Sequence, residues 1–277
     1  CPARGSSIGW PGAMPYRSTM ASLIQAGGGP PGGGAKAGPT SAIPASGAQV
    51  LTVGLKRQLA VGAEEGSVDV IRAAVQEQGL RLLPNTAGCT TAHEAVQLSH
   101  MARELYGTPW IKLEVIGDAY TLQPDPVGTV EAAVQLVRDG FTVFPYCTED
   151  LVTCRRLLDA GCPLLMPWGA PIGSGQGLVN PFALRVLREQ LPDATLIVDA
   201  GIRAPSDAAR VMEMGFDAVL LNSAVSQSPD PERMAAAFKA AVIAGREGFR
   251  AGVMAKQDFA VATTPVTGNP LLIGDVP

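Results

Sequence analysis

From residue 50 onward the chain alternates short, unbroken apolar runs with stretches of helical periodicity, and this alternation constrains the fold more than any other feature. The runs lie at 50–53, 80–83, 110–116, 141–144, 163–166, 195–198 and 218–221. They are β-branched or leucine-rich, the pattern of strands buried on both faces. Between them the spacing predicts helices over 67–78, 91–106, 127–139, 149–160, 181–190, 205–214 and 230–247. Several carry start signals: Thr91, Pro181 after Asn180, Pro205-Ser206-Asp207, and Pro229-Asp230-Pro231. Several stop at glycine: Gly79, Gly140, Gly161 and Gly215. Seven strand–helix units are visible, and 20–26 is a weaker eighth strand. Eight such units in one chain of 277 residues predict an α/β fold, a (β/α)8 TIM barrel. A doubly wound open sheet competes with it. That fold would show a G-x-G-x-x-G turn after an early strand, and Gly27-Gly28-Gly29 does not supply one.

The first βα unit is irregular. Residues 27–47, where its helix belongs, are rich in glycine and proline. Glycine costs about 1 kcal/mol and proline about 3 kcal/mol at an interior helix position, so no ordinary amphipathic helix is expected there. No acidic residue precedes Glu64, and the chain opens on Cys1. The start is read as an organelle transit segment, a fragment end or a first unit out of pattern. The expected organisation is an N-terminal segment 1–46 that includes the first strand, a catalytic barrel 47–265 and a tail 266–277.

Composition excludes several classes. The formal net charge of −4 argues against a nucleic-acid surface. No apolar run reaches membrane-spanning length. Five cysteines, an odd count, do not make a disulfide framework, so a reducing compartment is expected. Cys147, Cys154 and Cys162 follow no usual metal spacing and read as small buried hydrophobes. With only two histidines, His93 and His100, neither a Ser-His-Asp triad nor a metal site is expected.

Barrel chemistry sits at the C-terminal ends of strands, and that rule selects the candidates. In Ile111-Lys112-Leu113-Glu114-Val115 the charged pair shares one face and the apolar residues the other. Lys112 and Glu114 then face the barrel interior. A desolvated lysine with a lowered pKa can attack a carbonyl to form a Schiff base, and Glu114 can move protons. A structural ion pair is the competing reading. Asp199 closes another strand and is either a second acid/base or a helix cap. Three consecutive strand ends carry candidate phosphate contacts: Gly173 in a glycine-rich loop, Ala200-Gly201, and Asn222-Ser223. Asn85 and Thr86 either line the site or form a turn and cap.

These stretches resemble the thiazole synthase family of bacterial and plastid thiamin biosynthesis. The matching segments are LPNTAG (83–88), IKLEVIG (111–117), PDPV (124–127), PIGSGQG (171–177), VDAGI (198–202), LLNSAV (220–225) and AGR (244–246). The resemblance implies a Schiff-base lysine at Lys112 and acid/base carboxylates at Glu114 and Asp199. It implies phosphate contacts at Gly173, Ala200, Gly201, Asn222 and Ser223, the last usually Thr in the family. The implied substrates are 1-deoxy-D-xylulose 5-phosphate, dehydroglycine and a sulfur-carrier protein bearing a C-terminal thiocarboxylate. The implied enzyme is a homo-oligomer in the bacterial cytoplasm or plastid stroma, with no cofactor. Three features depart from the family: residues 1–46, Trp168 near the expected mouth, and Lys56-Arg57 in place of two arginines. Two alternatives stay open: an aldolase-type Schiff-base barrel, and a non-catalytic barrel that binds the carrier or a sugar phosphate.

Overall fold

Eight parallel strands close into a barrel in chain order, β1 to β8, in a computed structural model that describes residues 21–25, 39–56 and 75–261. The strands are β1 (Ala21–Gln25), β2 (Val50–Gly54), β3 (Arg81–Asn85), β4 (Trp110–Leu113), β5 (Thr142–Cys147), β6 (Leu164–Pro167), β7 (Thr195–Val198) and β8 (Ala218–Leu221). The helices are α1 (Pro39–Ser46), α2 (Ala92–Tyr106), α3 (Pro126–Arg138), α4 (Leu151–Asp159), α5 (Pro181–Gln190), α6 (Pro205–Glu213), α7 (Ser223–Ser226) and α8 (Pro231–Ala251). The eighth strand expected near 20–26 is β1, which pairs with both β2 and β8 and closes the ring. The glycine tract 27–34, Arg57, the start of the helix expected at 67–78 and the tail 266–277 lie outside the described residues.

The expectation of no helix within 27–47 is corrected at its end. Pro39–Ser46 is helical although Pro44 lies inside it. The interior proline costs about 3 kcal/mol, and burial of Ala42 and Ile43 offsets the loss. The Ser46 hydroxyl donates to Ile43 O at 2.6 Å and accepts from Ala48 N at 3.0 Å, tying off the helix end. The helix packs against α8, which closes the ring of helices beside it.

Alternation along the strands sorts the apolar residues into two cores. Val50, Leu83, Trp110, Phe144, Leu164, Met166, Ile197 and Leu220 fill the barrel. Leu51, Val53, Ile111, Leu113, Val143, Leu165, Leu196 and Val219 point outward and pack under the helices. On α8 the buried stripe is Ala235, Phe238, Val242 and Gly245, at the spacing of one helix face. At Gly245 the helix comes so close to α6 that an added Cβ would lie 2.3 Å from Ala209 O. Among the described residues no helix is long and apolar enough to cross a membrane.

The close α6–α8 approach admits no side chain. Gly245→Ala is expected to destabilise the protein by about 2 kcal/mol, read as a lower urea midpoint at unchanged slope.

Candidate active site

The run 110–116 does not stay in the sheet throughout. The strand β4 ends at Leu113, and the Glu114 backbone turns to Thr86 instead. The Thr86 hydroxyl lies 2.8 Å from both Glu114 N and Glu114 O, accepting from one and donating to the other. A threonine hydroxyl competes well for backbone groups at a strand end. Thr86 therefore acts as a clamp behind the site. Asn85 pairs in register with Lys112 and is fully buried.

Inside the barrel Lys112 lies between two carboxylates. Its Nζ is 3.0 Å from Glu114 Oε1 and 2.7 Å from Asp199 Oδ2. All three residues are 2–4% exposed. Asp199 is set by the β6–β7 edge: its N–H donates to Pro167 O, and its carbonyl accepts from Gly169 N, each at 2.9 Å. It does not cap α6. That task falls to Asp207, whose Oδ2 accepts from Arg203 N and Ala204 N at 3.1 and 3.0 Å.

The expected depression of the Lys112 pKa is overturned. Burial alone pulls it down, but the adjacent charges of Asp199 and then Glu114, with their hydrogen bonds, outweigh burial and hold it above the ordinary 10.5. The resting side chain is an ammonium. The stability this pairing contributes is complete below the unfolded value near 10.5 and is lost only as pH rises through the higher folded value.

Sequence reasoning missed Tyr146. It shares the inward face of β5 with Phe144, and its ring centre lies 5.7 Å from Lys112 Nζ. Burial, then the negative charges of Asp199 and Glu114, push its phenol well above the ordinary 10.0, so it stays neutral. Its inward parity with Phe144 was the available signal.

The triad lines a cavity of about 800 Å³. The cavity is also lined by the five candidate phosphate contacts, Gly173, Ala200, Gly201, Asn222 and Ser223, but not by Asn85 or Thr86. Ala200 and Gly201 are both left-handed, at φ 60° and 75°. An alanine there is uncommon and stores strain. At Gly201 only glycine fits, since a Cβ would lie 2.5 Å from Ala170 N. The N–H groups of Ala200 and Gly201 have no hydrogen-bond partner among the described residues. Successive unpaired N–H groups in such a turn form an anion-binding concavity.

Trp168 is not part of the cavity lining. Its indole N–H donates to Glu149, whose other oxygen accepts from Asn180 Nδ2 at 3.1 Å. Lys56 pairs with Glu94 and donates to Gly88 O at 2.7 Å, beside the cavity rim. Cys147, Cys154 and Cys162 are buried free thiols. His100 bonds Asp139 at 2.9 Å on the outside of the barrel.

Comparison with known proteins places this geometry in a family. The description "Thiazole biosynthesis protein ThiG" matches residues 32–265. The chain belongs to the ThiG thiazole synthase family. It is 60% identical over 232 residues to thiazole synthase of Burkholderia lata, covering 83% of this chain and 84% of that protein. It is 58% identical over 229 residues to thiazole synthase of Rhodopseudomonas palustris, covering 83% and 87%. A solved relative is the Amycolatopsis orientalis BexX/CysO complex, at 29% identity and TM-score 0.70 over 86% of this chain and 94% of that one. Membership of the ThiG family makes the chain an enzyme of thiamin thiazole biosynthesis.

The triad predicts an order of effects. Asp199→Asn removes the stronger of the two charges that oppose burial, so Lys112 is expected to lose its proton at lower pH than in wild type. Glu114→Gln is expected to move it less. Lysine-selective carbon-13 NMR across pH, with Lys112 assigned by its loss in Lys112→Arg, reads both.

Proposed function

We propose that Lys112 forms a Schiff base with the ketone of 1-deoxy-D-xylulose 5-phosphate and that the cavity then assembles the thiazole phosphate carboxylate. The single observation that carries this reading is a buried lysine at the floor of a cavity, in contact with two carboxylates. A buried lysine of this kind is suited to imine formation, and flanking carboxylates to proton transfer.

The resting ammonium must first lose a proton. Asp199 Oδ2, at 2.7 Å, is the nearer acceptor. The freed amine adds to the ketone and gives a carbinolamine. Glu114, a carboxylate at 3.0 Å, takes the extra proton from the adduct nitrogen while Asp199 returns its own to the alkoxide, and Glu114 then gives its proton to the departing hydroxyl, so that water leaves and the iminium forms. The same pair then moves protons through isomerisation, sulfur addition and ring closure. The neutral Tyr146 phenol keeps the floor apolar on its third side.

The N–H groups of Ala200 and Gly201, with Gly173, Asn222 and Ser223, take the substrate phosphate. Their place at adjacent strand ends fits the usual phosphate position of barrel enzymes. Sulfur is supplied by the thiocarboxylate of a carrier protein, and dehydroglycine supplies the remaining carbon and nitrogen. A relative solved as a complex with CysO supports a protein partner at this step.

Incubation with 1-deoxy-D-xylulose 5-phosphate followed by borohydride is expected to leave one adduct, mapped by mass spectrometry to Lys112. Lys112→Arg is expected to abolish it, because a guanidinium stays protonated. An adduct on another lysine, or none from folded protein, would sink the lysine's role. Cleavage of the sugar phosphate without a sulfur donor would replace this reading with an aldolase.

A further inference from the structure

Four charged side chains line the cavity: Lys112, Glu114, Asp199 and Arg203. The first three are occupied with one another, and one ammonium against two carboxylates leaves the floor with a formal charge of −1. A phosphate monoester is close to a dianion at neutral pH, so this floor repels it. Backbone N–H groups offer only partial charges in return. A cation beside the phosphate position would offset this repulsion.

Arg203 is that cation. Its guanidinium has no hydrogen bond or ion pair among the described residues. Its backbone is fixed, since the N–H donates to Asp207 Oδ2 at 3.1 Å. Its stem runs beside the glycine-rich loop that follows β6: a Cβ on Gly175 would lie 3.8 Å from Arg203 Cγ. Lys56, another cation near the rim, is already committed to Glu94.

We infer that Arg203 is the phosphate-docking cation of the cavity, pairing its guanidinium with the phosphate of the phosphorylated ketose whose carbonyl reaches Lys112. The inference rests on the proposed imine chemistry for its substrate class but not for its own binding measurement. A guanidinium fits two phosphate oxygens at once, which an ammonium does not. Because Arg203 is exposed, the pairing is screened by salt.

The test compares wild type, R203Q and R203K, each checked for an unchanged melting profile. Isothermal titration with inorganic phosphate is expected to show affinity falling by about tenfold in R203Q and recovering only in part in R203K. In borohydride trapping, the half-saturating concentration of 1-deoxy-D-xylulose 5-phosphate is expected to rise by a similar factor in R203Q. The unphosphorylated 1-deoxy-D-xylulose, with no dianion to pair, is expected to show no such rise. Added sodium chloride is expected to raise the wild-type half-saturation more steeply than that of R203Q.

Equal phosphate affinity in wild type and R203Q overturns the inference. So does an equal rise for both ketoses, which would make Arg203 a shape-forming residue. A defect confined to the carrier protein or the dehydroglycine carboxylate also overturns it. A wild type that binds phosphate through Arg203 but traps no imine upholds the docking cation and sinks the lysine chemistry instead.

Discussion

The buried pairing of Lys112 with Glu114 and Asp199 is the interaction on which the rest of the site depends. Three charges at 2–4% exposure sit just above an otherwise apolar barrel core. Desolvating them is expensive, and removing one partner of such a cluster typically costs about 3–5 kcal/mol. The surroundings fix the geometry on both sides. Thr86 holds the Glu114 backbone, while Pro167 and Gly169 hold that of Asp199. Lys112 itself is held in the ladder, between Asn85 on one side and Phe144 on the other. The closed sheet is what brings Asp199, at the end of β7, to the Lys112 ammonium of β4, far away in sequence.

A cluster charged in this way inverts the simplest view of a reactive lysine. Desolvation alone would make the amine nucleophilic at rest. Here the carboxylates store the proton on nitrogen, and it must move before chemistry begins. In the proposed reaction this arrangement keeps the amine protonated until the balance at the floor changes. Exclusion of water on substrate entry in that reaction disfavours the ionised pair and is such a change.

Much of this was legible in the chain. The seven apolar runs each became a strand, and the two-residue period correctly put Lys112 and Glu114 on one side and Ile111, Leu113 and Val115 on the other. The alternation could not show that the strand ends at Leu113, because the hydroxyl of Thr86, just past β3, takes the next backbone groups. Composition could not reveal a helix around Pro44, because its stability comes from contact with α8, two hundred residues away. The direction of the Lys112 pKa is hidden from the sequence for a similar reason. Burial is readable from one strand, but the larger opposing charge belongs to Asp199, on another. Tyr146 is readable as inward-facing by parity with Phe144, but nothing in its own strand marks it as a neighbour of Lys112.

The two loops that follow β6 and β7 are stitched together rather than merely adjacent. Gly169 N reaches both Asp199 O and Ala200 O, Gly177 N reaches Gly201 O, and Gly201 sits against Ala170 with no room for a methyl group. The glycine-rich loop and the strand end bearing Asp199 therefore behave as one part with a single shape. Inheritance follows from this: a loop transplanted from another barrel without its partner would arrive with mismatched stitches. These two segments can be exchanged between proteins only as a pair, even though more than twenty residues of helix and strand separate them in the chain.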